Sequence, residues 1–429
     1  MSQGHGTRAI PLAGLWRHPD FMKLWSAQTV SVFGSQVTTV ALALTAVLTL
    51  HATPLQLGLL RAVGSAPPLV IALFAGVWVD RLPRRPLLVW ADLGRAALLG
   101  SIPCAALLGM LGMEQLYIVV FLAGVLTTVF DVSHMSFVPA LVQPEQLVDG
   151  NSKLQATFSL AYVLGPGLAG SLVALTTAPL AIAVDALSFL VSALFIGLIR
   201  VAGVTPRAPA RRENVRRDIG EGLRAVFGTP VLRAIALYAG AHFFFVSAIL
   251  SLLPLYASRD LGVPPALIGV VFAAIGVGYL LGALVGRGVA RRFGLGLASV
   301  GGAVLNGVAV LLIPLAGGHG IVPVALLVAS QLFLGLGIMV NDVPETSLRQ
   351  ALTPDHLRGR VNATIRFAAR GPSLFGALLG GALGQAIGPR LTLLVMGVGL
   401  LCAPLWLIFS PIPSLREPPV PVDRGTRAV

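Results

Sequence analysis

Residues Gly76–Leu88 read GVWVDRLPRRPLL and join two long apolar runs through a very short charged segment. Asp80, Arg81, Arg84 and Arg85 all lie within this connection. The flanking runs are each long enough to supply the ~20 apolar residues that a membrane-spanning helix requires. The segment is therefore predicted to be a tight hairpin loop between two helices at a membrane surface.

The composition excludes a soluble protein. Hydrophobic residues make up 56% of the chain and charged residues 11%, with a mean hydropathy of +0.87. A soluble domain has about 25% charged residues, so the outer surface of this protein must face lipid. The apolar runs are continuous rather than alternating, unlike the strands of an outer-membrane barrel. The net charge is +13, but no basic tract is interleaved with aromatic residues, so no nucleic-acid partner is expected.

Twelve apolar runs predict an all-α integral membrane protein with two pseudo-symmetric bundles of six transmembrane helices. We expect an N-terminal bundle (1–200), a basic cytoplasmic linker with an interfacial helix (201–232), a C-terminal bundle (233–410) and a disordered cytoplasmic tail (411–429). The runs are 24–50, 56–79, 87–111, 115–140, 154–176, 179–200, 233–257, 265–289, 297–316, 321–345, 361–386 and 390–410.

The distribution of basic residues predicts the orientation. Of the 30 Lys and Arg residues, 24 lie in the termini and even-numbered loops and only Arg259 and Arg390 lie in the odd-numbered loops. Cytoplasmic loops carry the excess of Lys and Arg, so both termini are predicted to be cytoplasmic. Residues 1–20 are polar and do not resemble a cleavable signal. A bacterial-type inner membrane is expected.

The two halves of the sequence repeat at a constant offset, which predicts duplication of a six-helix unit. Four pairs of landmarks are separated by 210 or 211 residues. They are Pro19 and Pro230, the Gly76–Arg81 and Gly286–Arg291 segments, Asp131 and Asp342, and Pro144 and Pro354.

The hairpin resembles the G-x-x-x-D-R-x-x-R-R signature of the major facilitator superfamily, with Trp78 where Leu is usual and Pro83 where Gly is commoner. The proline is tolerated in the branch of enterobactin-exporter-like and macrolide-efflux-like proteins, which the rest of the chain also resembles. This resemblance implies the major facilitator fold, in which two halves rock about a cavity near the midplane. It also implies that Asp80 contacts the start of predicted helix 11, through Arg360 or Arg366.

The resemblance implies that the first and fourth helices of each half line the cavity. Polar residues spaced three and four apart on predicted helix 1 cannot all face lipid. The alternative is that such residues only join helices together, and that His242 and its aromatic neighbours are core or lipid-facing. The candidate cavity residues are Gln28, Ser31, Ser35, Thr38, Thr127, Tyr238, His242, Phe245 and Gln331.

Ionisable side chains within membrane helices are functional candidates because their burial is costly. Asp131 and Asp185 are candidate proton carriers, and Arg61 is the expected cation at the depth of Asp185. The alternative is a structural acid that is neutral or paired with Arg61. Asp92 and Arg95 can pair with each other or with the Arg81–Arg85 loop, and a structural ion pair near the cytoplasmic gate is expected. The predicted latch between the halves comprises Asp80, Arg81, Arg84, Arg85, Asp92, Arg95, Asp342, Arg360, Arg366 and Arg370.

Predicted helix 5 contains Gly165, Pro166 and Gly170, which match an antiporter motif of exporters in this superfamily, although Ala161 and Ala169 replace glycines. Small residues let helices approach closely, which suits a sliding surface. Close packing without any relation to transport direction is the alternative.

The expected function is proton-coupled export of a hydrophobic or amphipathic small molecule such as a drug or siderophore. The expected partners are this substrate, protons and membrane lipid, and the protein is expected to be a monomer. Alternatives are a lysophospholipid or lipid flippase, a solute uptake facilitator, and a non-transporting scaffold or receptor. No enzyme activity, cofactor or metal site is expected. The seven histidines have no ligand spacing, and no phosphate-binding loop is present.

Overall fold

A computed structural model of the protein describes residues 15–79, 82–200 and 215–417, and all their side chains except those of 72–79, 215 and 216. This part of the chain is all-α. The first half contains α1 (Pro19–Leu44), α2 (Pro54–Val79), α3 (Arg84–Leu107), α4 (Met113–Leu141), α5 (Leu147–Leu175) and α6 (Ala178–Gly197). After α7 (Val215–Gly228), the second half contains α8 (Pro230–Leu255), α9 (Pro265–Phe293), α10 (Leu295–Leu315), α11 (Ile321–Leu352), α12 (Arg358–Ile387), α13 (Pro389–Cys402) and the short α14 (Leu405–Ile408).

Predicted helices 1–6 correspond to α1–α6, and predicted helices 7–12 correspond to α8–α13. Ten helices of the described chain are long and apolar enough to cross a membrane. The two that fall outside this group are α2, whose side chains are described only as far as Ile71, and α12, which carries four arginines. The all-α membrane fold is confirmed, with ten of the twelve predicted spans meeting the criteria of length and composition.

Corresponding helices in the two halves begin with a proline at the first helical position. Its fixed φ suits a helix start, and its missing N–H is not needed there. Pro19 and Pro230 begin α1 and α8, and Pro54 and Pro265 begin α2 and α9, each pair 211 residues apart. The first helix of each half also ends in a π-helical turn at the same offset, Thr45–Thr49 and Tyr256–Asp260. The duplication read from the sequence is therefore present in the backbone.

The helices of each half pack in the same arrangement. In the first half, α1 packs against α5 and α6, α3 packs against α4 and α6, and α2 packs against α4. In the second half, α8 packs against α12 and α13, α10 packs against α11 and α13, and α9 packs against α11. Each of these five contacts in the first bundle thus has its counterpart in the second.

Two equivalent interfaces, α5 with α9 and α2 with α12, join the halves. At the first, a Cβ atom added to Gly170 would lie 2.6 Å from the Pro265 carbonyl oxygen and 2.7 Å from Gly269 Cα. At the second, a Cβ on Gly381 would lie 2.9 Å from Gly58 Cα. Only glycine permits this approach of two backbones.

Both glycine contacts lie on the same side of the membrane. Gly58 and Gly269 are in the first turns of α2 and α9, and Gly170 and Gly381 are near the ends of α5 and α12. We call this side, which carries the α1–α2 and α8–α9 connections, the neutral side. The opposite side carries the α2–α3 and α6–α8 connections and is called the basic side. The halves are therefore in close contact on the neutral side.

The short helix α7 follows the linker and packs against α8 and α12. Ile219, Leu223 and Phe227 are exposed at a spacing of four residues, as expected for a helix at the membrane interface. Val226 of the same helix is buried against the second half. The predicted linker at 201–214 and the tail at 418–429 lie outside the described residues.

We predict that Gly170→Ala and Gly381→Ala each destabilise the protein by about 1–3 kcal/mol, because the added methyl group would overlap backbone atoms that cannot turn away. The measurement is thermal unfolding of the purified protein in detergent. Gly301→Ala is the control, since a Cβ at this exposed α10 position meets no atom within 4 Å. Equal melting temperatures for all three variants would contradict the close backbone contact.

Candidate transport site

A buried ion pair lies in the centre of the first half. Asp92 and Arg95, one turn apart on α3, have exposed fractions of 0% and 4%. Arg95 Nη2 donates a hydrogen bond to Asp92 Oδ1, and Ser192 Oγ of α6 donates to Asp92 Oδ2 at 2.7 Å. The mutual pairing predicted from the sequence is thus observed. The pair is packed between α3 and α6, away from the hairpin.

The Arg95 guanidinium is also held between two aromatic rings. Its Cζ atom lies 4.3 Å from the ring centre of Phe130 on α4 and 4.1 Å from that of Phe189 on α6. Such cation–π contacts stabilise a desolvated cation. Arg95 Nη1 also donates to Thr127 Oγ1 of α4 at 3.5 Å. The position of the positive charge is therefore fixed from three helices.

Asp185 of α6 is almost fully buried, with 1% of its surface exposed. It accepts a hydrogen bond from Ser188 Oγ at 3.0 Å, and Ser35 and Thr38 of α1 lie beside the same carboxylate. A Cβ atom at Gly34 would lie 2.6 Å from Asp185 Oδ1. The absence of a side chain on Gly34 therefore lets α1 approach the acid.

The cation near Asp185 is Arg95 and not Arg61, so that part of the prediction is wrong. Arg95 acts electrostatically on Asp185, whereas Arg61 Nε donates to Ser247 Oγ of α8 at 3.3 Å. The physical reason is the direction in which each helix faces. Helix α2 packs against α12 of the other half, while α3 packs against α6. Arg61 consequently bridges the halves.

Asp131 on α4 and Asp342 on α11 occupy equivalent positions and are both exposed. Arg95 of the first half and Arg370 of α12 both act electrostatically on Asp131. A charge that is influenced from both halves lies on the side of α4 that faces the second half. Arg366 and Arg370 are exposed, and neither forms an ion pair within 4 Å among the described residues.

The remaining cavity candidates are mostly buried within their own half. Gln28 and Ser31 are buried on α1. Tyr238 accepts a hydrogen bond from Asn306 Nδ2 at 3.4 Å, and the His242 ring lies 5.7 Å from the Tyr238 ring. Several of their polar atoms have no hydrogen-bond partner in the described chain. These atoms are Gln28 Nε2, Thr38 Oγ1, His242 Nδ1, and both amide atoms of Gln331.

Phe245 does not lie on a cavity wall as predicted. Its ring packs against Gly399 of α13, inside the second half. Consecutive residues on a helix project about 100° apart, so only some members of a run of phenylalanines share the face of His242. Phe245 lies on the face of α8 that packs against α13, and the sequence does not reveal which face that is.

The arginines of the hairpin contact their own half. Arg84 Nη1 donates to the Ser136 carbonyl oxygen at 3.0 Å. Arg85 donates to the carbonyl oxygens of Ile196 and Gly197, the last two residues of α6, where a cation is favoured by the helix dipole. Asp80 and Arg81, the other two charged residues of the hairpin, lie outside the described residues.

Arg360, a predicted latch partner of Asp80, contacts α7. Its guanidinium pairs with Asp218 and Glu221, each at 2.6 Å. Arg217 donates a hydrogen bond to Glu221 at 2.9 Å, and this bond holds the pKa of Glu221 below its usual value. Carboxylates of α7 therefore engage Arg360 in the arrangement of halves described above.

The helix-5 motif divides between two interfaces. Gly165 lies against the side chain of Gln36 on α1, within the first half. The Pro166 carbonyl oxygen lies 2.6 Å from the position of a Cβ atom on Gly269, and Gly170 contacts the same residue. Part of the motif thus forms the α5–α9 interface between the halves.

Two homologous bundles that meet along two helix pairs, with charged groups buried beside the surface between them, define a multi-pass membrane transporter. The chain belongs to the transmembrane secretion effector family of major facilitator superfamily transporters, whose family model matches residues 10–424. Its relatives include exporters. It is 31% identical to the multidrug efflux pump Tap of Mycolicibacterium fortuitum, over 94% of this chain and 97% of that one.

Two further comparisons agree with this assignment. The chain is 26% identical to the enterobactin exporter EntS of Citrobacter koseri, over 97% of this chain and 98% of that one. The fold is similar to that of a bacterial homologue of the iron transporter ferroportin in an inward-facing state. That similarity has a TM-score of 0.74 at 19% identity and covers 91% of this chain and 98% of that one. The protein is therefore a transporter, as its relatives are, and not an enzyme.

We predict that cysteines replacing Asp131 and Asp342 react with a charged, membrane-impermeant thiol reagent, whereas Asp185→Cys stays unmodified. The first two side chains are exposed, and Asp185 is buried. The experiment uses protein in lipid nanodiscs, after Cys104 and Cys402 have been replaced by serine. Failure of both exposed positions to react would mean that they face acyl chains, and the proposed site would then be wrong.

Proposed function

We propose that the protein is a proton-coupled exporter of a hydrophobic or amphipathic small molecule that works by alternating access. The observation that carries this proposal is the charge balance of the first half. Asp92 pairs with Arg95, and the charges of Asp131 and Asp185 act on the same cation. One cation within the first half cannot balance three ionised carboxylates, and an uncompensated charge inside a membrane protein is costly. Protonation of Asp131 or Asp185 relieves the imbalance, which makes these two residues the proton carriers.

Export is supported by the arrangement of the halves and by the relatives. If the basic side is cytoplasmic, as the positive-inside rule indicates, the glycine contacts close the external side and Asp131 and Asp342 are reached from the cytoplasm. A substrate would then be loaded from the cytoplasm. The relatives named above are a multidrug efflux pump and an enterobactin exporter. We propose a drug or siderophore as the substrate.

The halves that enclose the site belong to one chain, so a monomer can complete the transport cycle. Membrane lipid is the proposed partner of its outer surface. An apolar crevice of about 510 Å³ between α1, α5 and α6 is lined by Val30, Phe33 and Val184 among others and suits an acyl chain.

In the opposite state of the transport cycle the halves separate on the neutral side. They must then be in contact on the basic side. We propose that Asp80 then pairs with Arg360 or Arg366 at the start of α12, the latch implied by the family resemblance. Arg360 would have to release Asp218 and Glu221 of α7 in this step. A few charge-assisted hydrogen bonds of about 1.5–3 kcal/mol each are sufficient to hold one state.

We predict that Asp131→Asn or Asp185→Asn abolishes accumulation of substrate driven by a pH gradient while downhill flux continues. An amide keeps the size of the side chain but cannot exchange a proton. The measurement is transport of a panel of drugs and siderophores in proteoliposomes with and without an imposed gradient. Asp149→Asn is the matched control, because Asp149 is exposed and pairs with Lys153 on the surface.

Two results would contradict the proposal. Wild-type flux that does not respond to the gradient would favour facilitated diffusion or lipid flipping. Gradient-driven accumulation that is unchanged in both variants would remove both residues as proton carriers.

A further inference from the structure

Arg95 has one donor atom that no described residue satisfies. Its Nη2 is bound to Asp92 and its Nη1 reaches Thr127, but Nε is buried without a hydrogen-bond partner. A guanidinium has five N–H donors in a fixed planar fork. An unsatisfied donor on a buried cation is costly, so this free edge is available to a further acceptor.

The contacts of Arg95 bring its guanidinium to the turns of α4 and α6 that carry the two proton-carrier candidates. On α4, Phe130 and Thr127 are one position and one turn before Asp131. On α6, Phe189 is one turn after Asp185. The same cation therefore stacks on, or bonds to, immediate neighbours of each acid, and it acts electrostatically on both.

Two further groups that can carry a charge lie near Asp131: Arg370 and His134, which is one turn after Asp131 on α4 and stacks on Phe130. Arg370 of α12 faces Asp131 from the second half. Asp185 is faced by the hydroxyl groups of Ser35, Thr38 and Ser188. Arg95 is the cation of the first half whose charge acts on both carboxylates.

We propose that Arg95 is the positioning residue of proton coupling and links the titrations of Asp131 and Asp185. Asp92, Phe130 and Phe189 fix its guanidinium, and the remaining donor edge stabilises one ionised carboxylate at a time. When Asp131 loses its proton to water, its carboxylate interacts with this donor edge of Arg95, so Asp185 retains its proton. Protonation of Asp131 releases the edge, and Asp185 can then ionise. This inference rests on the proposed proton coupling and names the residue that transmits it.

The test is an infrared titration of the purified protein, which does not depend on transport. The carbonyl band of protonated Asp185 is identified as the band missing from Asp185→Asn, and its midpoint pH is measured in several variants. Asp131→Asn should lower the midpoint, because Asp185 then has no competitor for Arg95. Asp92→Asn/Arg95→Gln removes the ion pair without leaving a lone buried charge. It should raise the midpoint by about one pH unit or more, because a nearby cation favours the ionised carboxylate.

The decisive measurement is the effect of Asp131→Asn within the Asp92→Asn/Arg95→Gln background. If Arg95 carries the coupling, the shift should fall to less than half of its value in the wild type. An equal or larger shift would mean that the two carboxylates repel each other directly, and the proposal would be wrong. Arg95→Lys provides a second background if the double variant does not fold. Lysine keeps the charge but has no planar fork, so an undiminished shift there would also overturn the proposal.

Arg61→Gln is the matched control, since it removes another arginine within the membrane-embedded bundle. The Asp185 midpoint should not move in this variant, and a shift as large as that caused by loss of Arg95 would assign the role to Arg61. Substrate-driven proton flux in wild-type vesicles is measured separately. Linked titrations without such flux would refute the proposed function but not the charge sharing. Flux with independent titrations would refute only the role of Arg95.

Discussion

The cost of a charge in hydrocarbon determines how the first half is built. An isolated cation at the centre of a membrane helix is costly, and Arg95 is stabilised there by one carboxylate and two aromatic faces. These groups come from α3, α4 and α6, so the cluster requires a definite rotation of each helix about its axis. Packing of α1 against Asp185 through Gly34 adds a fourth helix. The contacts of one guanidinium thus constrain the relative positions of α3, α4 and α6, and the contact of Gly34 with Asp185 constrains α1.

The second half has lost this chemistry while keeping the same helix packing. At the offset of 211 residues, Asp92 corresponds to Ala303, Arg95 to Asn306 and Asp185 to Met396. Asn306 hydrogen-bonds Tyr238, a neutral contact in place of the ion pair. Asp131 alone keeps its counterpart, Asp342. Duplication therefore supplied two equivalent frameworks, and under the proposed mechanism the first half, with its buried ion pair and Asp185, is the half that handles protons.

The sequence was sufficient to predict the features that depend only on position along the chain. Apolar runs located the helices, prolines marked their starts, and the constant offset revealed the duplication. The partner of Asp185 depends instead on which way each helix faces, and depth along the chain does not contain this information. Depth indicated Arg61 alone, but α2 packs against the second half, whereas α3, which carries Arg95, packs against α6. Phe245 was misplaced for the same reason.

One signal could have pointed to Arg95. Asp92 and Arg95 are spaced to pair on their own helix, and Ser188 and Ser192 extend the face of Asp185 toward them. Two helices with matching polar faces are expected to pack together, because neither face tolerates lipid. Reading α3 and α6 as complementary surfaces would have placed Asp185 beside Arg95.

The location of Asp131 explains how a proton could control the movement of the halves. Its distance from Arg95 is set by packing within the first half, whereas its distance from Arg370 depends on the angle between the halves. An ionised Asp131 attracts both cations, and a neutral Asp131 attracts neither. A ligand shifts a conformational equilibrium only through a difference in its interaction with the two states. Under the proposed mechanism the proton meets this requirement, because it removes a cross-half attraction whose strength differs between the open and closed arrangements.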